Sequence, residues 1–124
     1  MLCPACKSHP ESANHIFLDC STAKEVMARL AGRWNKLPDL TDCRRVEDLI
    51  SGRRDTILSI MEVIKYEVII RAFLWTIWNN RNDICFNNTV KTIPILVSEI
   101  IGTTFLWLSV RSNLFKNLSL ENLL

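Results

Sequence analysis

Glycine and proline are scarce in this chain, at three and four residues of 124. A fold of many strands needs a turn residue at each reversal, so an all-β sandwich or barrel is excluded. With only Gly32, Gly52 and Gly102, a glycine loop that cradles phosphate is excluded too. Histidine occurs twice, and no Ser or Cys stands in a nucleophile motif, so the residues argue against an enzyme. Charge is nearly balanced, 15 Lys and Arg against 13 Asp and Glu, which argues against polyanion binding by bulk charge alone. The longest charge-free apolar run, residues 100–110, is well short of the roughly 20 residues a bilayer requires, so no membrane is expected. The first 20 residues carry Cys, Pro, His and acids where a secretory signal would carry an apolar core. An intracellular setting, nuclear or cytoplasmic and not secreted, is the expectation.

The chain has 48% hydrophobic and 23% charged residues, the balance of a folded domain. The expected class is mainly α: a small CCHC zinc-binding head followed by a bundle of about four helices. Residues 1–36 read as the head with its following helix, and residues 37–124 as a helical body. Ser21 or Thr22 caps a helix whose apolar positions Ala23, Val26, Met27, Leu30 and Trp34 recur at three- and four-residue steps. It is expected to end near Lys36, because Pro38 disfavours helical geometry at Leu37. Thr41 or Asp42 starts a short second helix through Val46, Leu49 and Ile50, closed by Gly52. A long third helix from Asp55 to about Cys85 is apolar over most of its circumference, with Ile57, Leu58, Met61, Ile64, Val68, Phe73, Trp75 and Trp78. Asn87 and Asn88 end it. Thr92 caps a last helix with Pro94 in its first turn, running on through Leu96, Ile100, Phe105, Trp107 and Leu108. Within it, Gly102 reads as a weak point or a close-packing site.

Chemistry concentrates at the N-terminus. Cys3, Cys6, His15 and Cys20 give the spacing C-x2-C-x8-H-x4-C, and in a chain without a secretory signal this favours metal over disulfides. The first pair makes a tight turn that can bring both sulfurs onto one ion, and His15 and Cys20 return from the other side. Three thiolates and an imidazole suit zinc, with no ligand position left for water, so one structural Zn2+ is expected. A redox CxxC is the rival, but it expects a βαβ context that the pattern does not offer. His9 is a competing donor, although Pro10 beside it suggests an exposed turn. Cys43 and Cys85 read as interior or partly buried thiols.

The stretch from Cys3-Pro4-Ala5-Cys6 through Glu11-Ser12-Ala13-Asn14-His15-Ile16-Phe17-Leu18-Asp19-Cys20 resembles the plant reverse-transcriptase zinc-binding domain. That domain lies in the C-terminal part of non-LTR (LINE-type) retrotransposon polyproteins. The family pattern is a CxxC, an acidic residue before the His, then His-Leu-Phe and a final Cys. Val26 and Met27 stand where the family has Val-Trp, a departure. A second stretch, Ile77-Trp78-Asn79-Asn80-Arg81-Asn82-Asp83-Ile84-Cys85-Phe86, is similar to the IWxxRNxxxF segment that follows the zinc domain in the same polyproteins. The resemblance spans residues 3–86. It implies a parent RNA-directed DNA polymerase. This chain has no Asp-Asp pair in a strand context for two-metal polymerisation and no RNase H carboxylate set, and with Met1 two residues before Cys3 the polymerase domain is expected to be absent.

Two functions follow. In the first, the module binds RNA or DNA: Lys7, Lys24, Arg29, Arg33, Arg44 and Arg45 contact phosphates, since residues 21–54 hold eight basic groups against five acids. Phe17 or Trp34 are the candidates for stacking on a base, though both are expected in the core. In the second, the apolar helix 55–85 and the Trp-bearing helix 93–114 pack against another protein chain or a reverse transcriptase domain, or the chain is a decayed retroelement fragment with no activity of its own. Trp75 and Trp78 are expected in the core, and Arg81-Asn82 is expected to tie down a helix end. No small-molecule substrate is expected.

Overall fold

The computed structural model describes residues 1–51 and 59–110. It is mainly helical: α1 (Ser21–Arg33), α2 (Val46–Ser51), α3 (Ile60–Asn87) and α4 (Ile93–Val110) follow a compact head that ends in a π-helical turn, His15–Asp19. Gly52, residues 55–58 of the expected third helix and residues 111–114 of the expected last helix lie outside the described residues. Among the described residues the one β pairing is an isolated bridge between Leu2 and Pro10.

The register of α1 follows its sequence period, with Ala23, Val26, Met27 and Leu30 all buried. It stops at Arg33, three residues before the expected end, because Trp34 turns to extended backbone. The helix expected from Thr41 is split in two. Asp39 Oδ1 accepts from the Thr41 N–H and hydroxyl at 2.9 and 2.7 Å and closes a 3-10 turn, Leu40–Asp42. Asp48 then accepts from the N–H groups of Arg44 and Arg45, each at 3.0 Å, and starts α2 afresh.

α3 is the spine. Ser59 and Glu62 form a reciprocal capping box at its start, and Asn88, left-handed at φ 51°, ends it where the two asparagines were expected to. Two adjoining stripes are buried, one of Tyr66, Ile69, Ile70, Phe73, Ile77 and Asn80 and one of Val68, Ala72 and Thr76. The Tyr66 hydroxyl donates to the Leu49 carbonyl at 3.0 Å and fastens α2. Trp75 and Trp78, expected in the core, are instead 55% and 42% exposed. α2, α4 and the head turn cover part of the helix surface and leave the side bearing Arg71, Trp75 and Phe86 open, with Trp78 at its margin beside the head turn.

α4 folds back along α3 and also touches α1, burying Leu96, Ile100, Thr104 and Leu108. Lys91, in the connection, bridges Asp83 of α3 (3.5 Å) and Glu99 of α4 (2.9 Å). Among the described helices α4 alone is long and apolar enough to cross a membrane, with mean hydropathy 1.7 over 18 residues. The charge-free run understated its length because Glu99 interrupts it, and Glu99 is the residue paired with Lys91.

Gly102 meets nothing within 4 Å of where a Cβ would stand, so close packing does not explain it. Gly102→Ala is expected to raise stability by about 0.5–1 kcal/mol through helix propensity, read as a higher urea midpoint at unchanged m-value.

One apolar cluster joins the head to the body. It runs from Cys3, Ile16, Leu18 and Cys20 through α1 to Phe73 of α3 and Ile100 of α4.

Candidate metal centre

The first half of the centre is a closed loop. The Glu11 N–H donates to the Met1 carbonyl, Cys3 N–H to the His9 carbonyl and Lys7 N–H to the Cys3 carbonyl, each at 2.8 Å. The last of these makes Cys3-Pro4-Ala5-Cys6 a single tight turn. Lys7 closes it with φ at 58°, the left-handed region that a side chain resists. Lys7→Gly is therefore expected to stabilise the loop by up to about 1 kcal/mol, and Lys7→Val to destabilise it by more than that. Urea denaturation of the metal-loaded chain separates the two.

The second half is the π-helical turn. Ser12 starts it, its hydroxyl accepting from the His15 N–H at 3.1 Å and its carbonyl from the Ile16 N–H at 2.9 Å. The Cys20 N–H closes it on the His15 carbonyl at 2.7 Å. In an ordinary α-helix two residues five apart point about 140° away from each other. The wider turn brings His15 and Cys20 round to one side, which is how an x4 spacing supplies two ligands to one point. Cys20 is also the N-cap of α1.

Together the halves place one donor atom each from Cys3, Cys6, His15 and Cys20 within 4.8 Å of one another. Cys3 Sγ and Cys20 Sγ are 3.9 Å apart, and Cys6 Sγ lies 3.2 Å from His15 Nε2. Tetrahedral zinc, with Zn–S near 2.3 Å and Zn–N near 2.0 Å, separates sulfurs by about 3.8 Å and sulfur from nitrogen by about 3.5 Å. The donor set fits such an ion in kind and number, and the two separations of 3.9 and 3.2 Å lie close to that geometry. Cys3, His15 and Cys20 are buried and Cys6 is half-buried, so the ion would be enclosed.

The electrostatics point the same way. Burial pushes the Cys6 thiol up, but hydrogen bonds from the Ser8 backbone, from His9 and His15 side chains and from the His9 backbone outweigh it and bring it down to about 6. Burial raises the Cys20 thiol to about 11, with Cys3 and Cys6 adding to the rise against the opposing pull of the Thr22 backbone. Three sulfurs this close repel one another as thiolates, and a divalent cation among them relieves that repulsion. His9 does not join the donor cluster; its ring stands 5.3 Å from that of His15 and serves Cys6 as a hydrogen-bonding neighbour. Cys43 and Cys85 are half-buried and stand outside the cluster.

The six basic candidates are all exposed but occupy three elements. Lys7 sits in the metal turn. Arg29 and Arg33 share one side of α1, while Lys24 lies at least about 140° round the same helix. Arg44 and Arg45 precede α2, held beside the head by the Asn14 amide, which donates to the Arg44 carbonyl at 3.5 Å. Arg29 pairs with Glu25 at 3.1 Å and Arg45 approaches Glu47 at 4.0 Å; these are surface pairs of little energetic weight. The structure thus does not gather the six on one face. Phe17 and Trp34 are half-buried: Phe17 faces Trp78 at 6.5 Å between centroids, and Lys65 Nζ stands 4.5 Å over the Trp34 ring.

Arg81 and Asn82, expected to tie down a helix end, lie inside α3, and Arg81 Nη1 donates to the neighbouring Asn82 Oδ1 at 2.9 Å. Its main partner lies seventy positions earlier. Nε and Nη2 donate to the two carboxylate oxygens of Glu11 at 2.5 and 3.1 Å. This contact holds the Glu11 carboxyl below its ordinary range. The two stretches that carry the family resemblance therefore touch, through Glu11 with Arg81 and through Phe17 with Trp78. Comparison of the chain with protein-family models, with curated proteins and with solved structures finds no match in any of the three.

Proposed function

We propose that this chain is a zinc-binding module of the type found in the reverse-transcriptase zinc-binding domain of non-LTR retrotransposons, with no catalysis of its own, which assists RNA or DNA binding inside the cell. The observation that carries this reading is the convergence of Cys3, Cys6, His15 and Cys20, with one donor atom each within 4.8 Å of the others. The packing of the IWxxRNxxxF-like segment directly on the head supports treating the two stretches as one unit. The four donors fill an ion's tetrahedron, which makes its role structural. Exposed Arg29 and Arg33 on α1 and Arg44 and Arg45 beside the head supply phosphate contacts.

The test is anisotropy titration of zinc-loaded chain with mixed-sequence single-stranded RNA and DNA between 50 and 200 mM salt. Saturable binding is expected, with log K falling linearly in log salt by about 0.7 per phosphate contacted. Replacing Arg29 and Arg33 together with Gln is expected to flatten the slope by about 1.4. Absence of saturable binding at 50 mM salt would overturn the nucleic-acid part of the reading.

A second reading, a helical protein-interaction module, is favoured by one specific feature. The large apolar side chains Trp75, Phe86 and Leu106 are 55%, 73% and 61% exposed on α3 and α4. A mass that rises with concentration supports it, and a strict monomer that binds nucleic acid rejects it.

A further inference from the structure

Glu11 occupies the joint of the metal centre. Its N–H closes the loop that carries Cys3 and Cys6, and it stands four residues before His15, where the second ligand pair begins. Its carboxylate is gripped by both Nε and Nη2 of Arg81, a residue of α3, with the two side chains only 16% and 14% exposed. The guanidinium has little freedom of its own. Nη1 donates to Asn82 Oδ1, and the Trp78 and Phe86 rings lie 5.3 and 5.7 Å from its central carbon. Trp78 in turn faces Phe17, inside the turn that supplies His15 and Cys20. α3 thus reaches the joint through one charged contact and the second ligand half through one aromatic contact.

We propose that Arg81 and Glu11 are positioning residues of the metal centre: α3 holds the two ligand-bearing halves at binding distance, so that metal affinity depends on a helix that contributes no ligand. This inference rests on the zinc reading above. A chelate whose two halves are fixed in place before the ion arrives binds more tightly than one that must order them on binding. Arg81 suits the task because its planar fork grips a carboxylate at two points, which a lysine cannot do. Removing either partner leaves the other charged group largely buried without a counter-charge, and frees the joint.

The experiment is Co2+ titration of the full chain followed by Zn2+ back-competition, for the parent, Arg81→Gln, Glu11→Gln, Arg81→Lys, the double Glu11→Gln/Arg81→Gln, and Leu108→Ala. Leu108 packs with Val68 in a separate cluster, so its variant controls for general destabilisation. Arg81→Gln and Glu11→Gln are expected to weaken Co2+ and Zn2+ binding by about 10- to 100-fold, the usual cost of losing a group that supports a ligand. Arg81→Lys is expected to fall between them and the parent. The double variant is expected to be no weaker than the worse single one, because both remove the same contact. Leu108→Ala is expected to lose stability and keep the parent's affinity. The thiolate-to-cobalt charge-transfer band keeps its position in every variant that binds, since the ligands are unchanged. If Arg81→Gln does not fold, Glu11→Gln and Arg81→Lys carry the test. Parent affinity in the folded Glu11 and Arg81 variants, or an equal loss in Leu108→Ala, overturns the proposal and leaves the metal reading standing. A parent chain that takes up neither metal overturns both.

Discussion

Chelator treatment is expected to destabilise residues 1–20 strongly and to loosen α1 with them, while the Glu11–Arg81 contact still tethers the head to α3. Apart from the Glu11–Arg81 pair and the Phe17–Trp78 contact, the head is held by a handful of backbone bonds, one isolated bridge and a few apolar side chains, too little core for a segment of that length to fold alone. Zinc in small peptides contributes on the order of 10 kcal/mol or more, which exceeds anything else in the head. The consequence reaches the body because Cys3, Ile16, Leu18 and Cys20 belong to the same cluster as Val26, Phe73 and Ile100. Cys20→Ser is expected to have the same effect through loss of a ligand; at the N-cap of α1, where Cys20 makes no side-chain hydrogen bond, a serine is itself well tolerated. Thermal melts by circular dichroism, with and without chelator, should show the midpoint fall by more than 10 °C, since about 1 kcal/mol corresponds to roughly 4 °C in a domain of this size. Coincident melts would mean that the ion carries none of the fold.

The second large effect lies in α3. Phe73 is fully buried where α3 meets the shared core, whereas Trp75, two residues on, is 55% exposed. Phe73→Ala is expected to cost about 3–5 kcal/mol, through lost burial and the cavity left behind. Trp75→Ala removes a larger side chain and is expected to cost no more than about 1 kcal/mol, because little leaves the core. Urea unfolding followed at 222 nm measures both. Equal losses would place Trp75 in the core, contrary to the structure.

That contrast shows where reading the sequence reaches and where it stops. α1 has polar residues between its apolar ones, so the 3.6-residue period identifies Ala23, Val26, Met27 and Leu30 as its inner face, and they are buried. The metal donors are legible for a different reason. Few arrangements other than one ion use three sulfurs and an imidazole at such short separations in a chain, and the four converge. α3 offers no such contrast. It is apolar nearly all round, so Phe73, Trp75 and Trp78 read alike, and only the placement of α2, α4 and the head decides which of them stays open. The split between the turn at Leu40 and α2 depends on where the Asp39 and Asp48 carboxylates find N–H groups, a choice that propensity does not resolve. The Glu11–Arg81 pair was invisible for want of any local pattern, since a contact across seventy residues leaves no periodicity behind. Its one trace was that each residue belongs to a stretch carrying the same family resemblance.

The measurement that bears most directly on the account is the zinc content of chain purified without chelator, by native mass spectrometry, for the parent, Cys20→Ser and His9→Ala. One zinc per parent chain is expected, retained in His9→Ala, because His9 stands beside the cluster rather than in it, and lost in Cys20→Ser. A folded parent without zinc, or a Cys20→Ser variant that keeps a full equivalent, would contradict the assignment of Cys3, Cys6, His15 and Cys20 as the ligands.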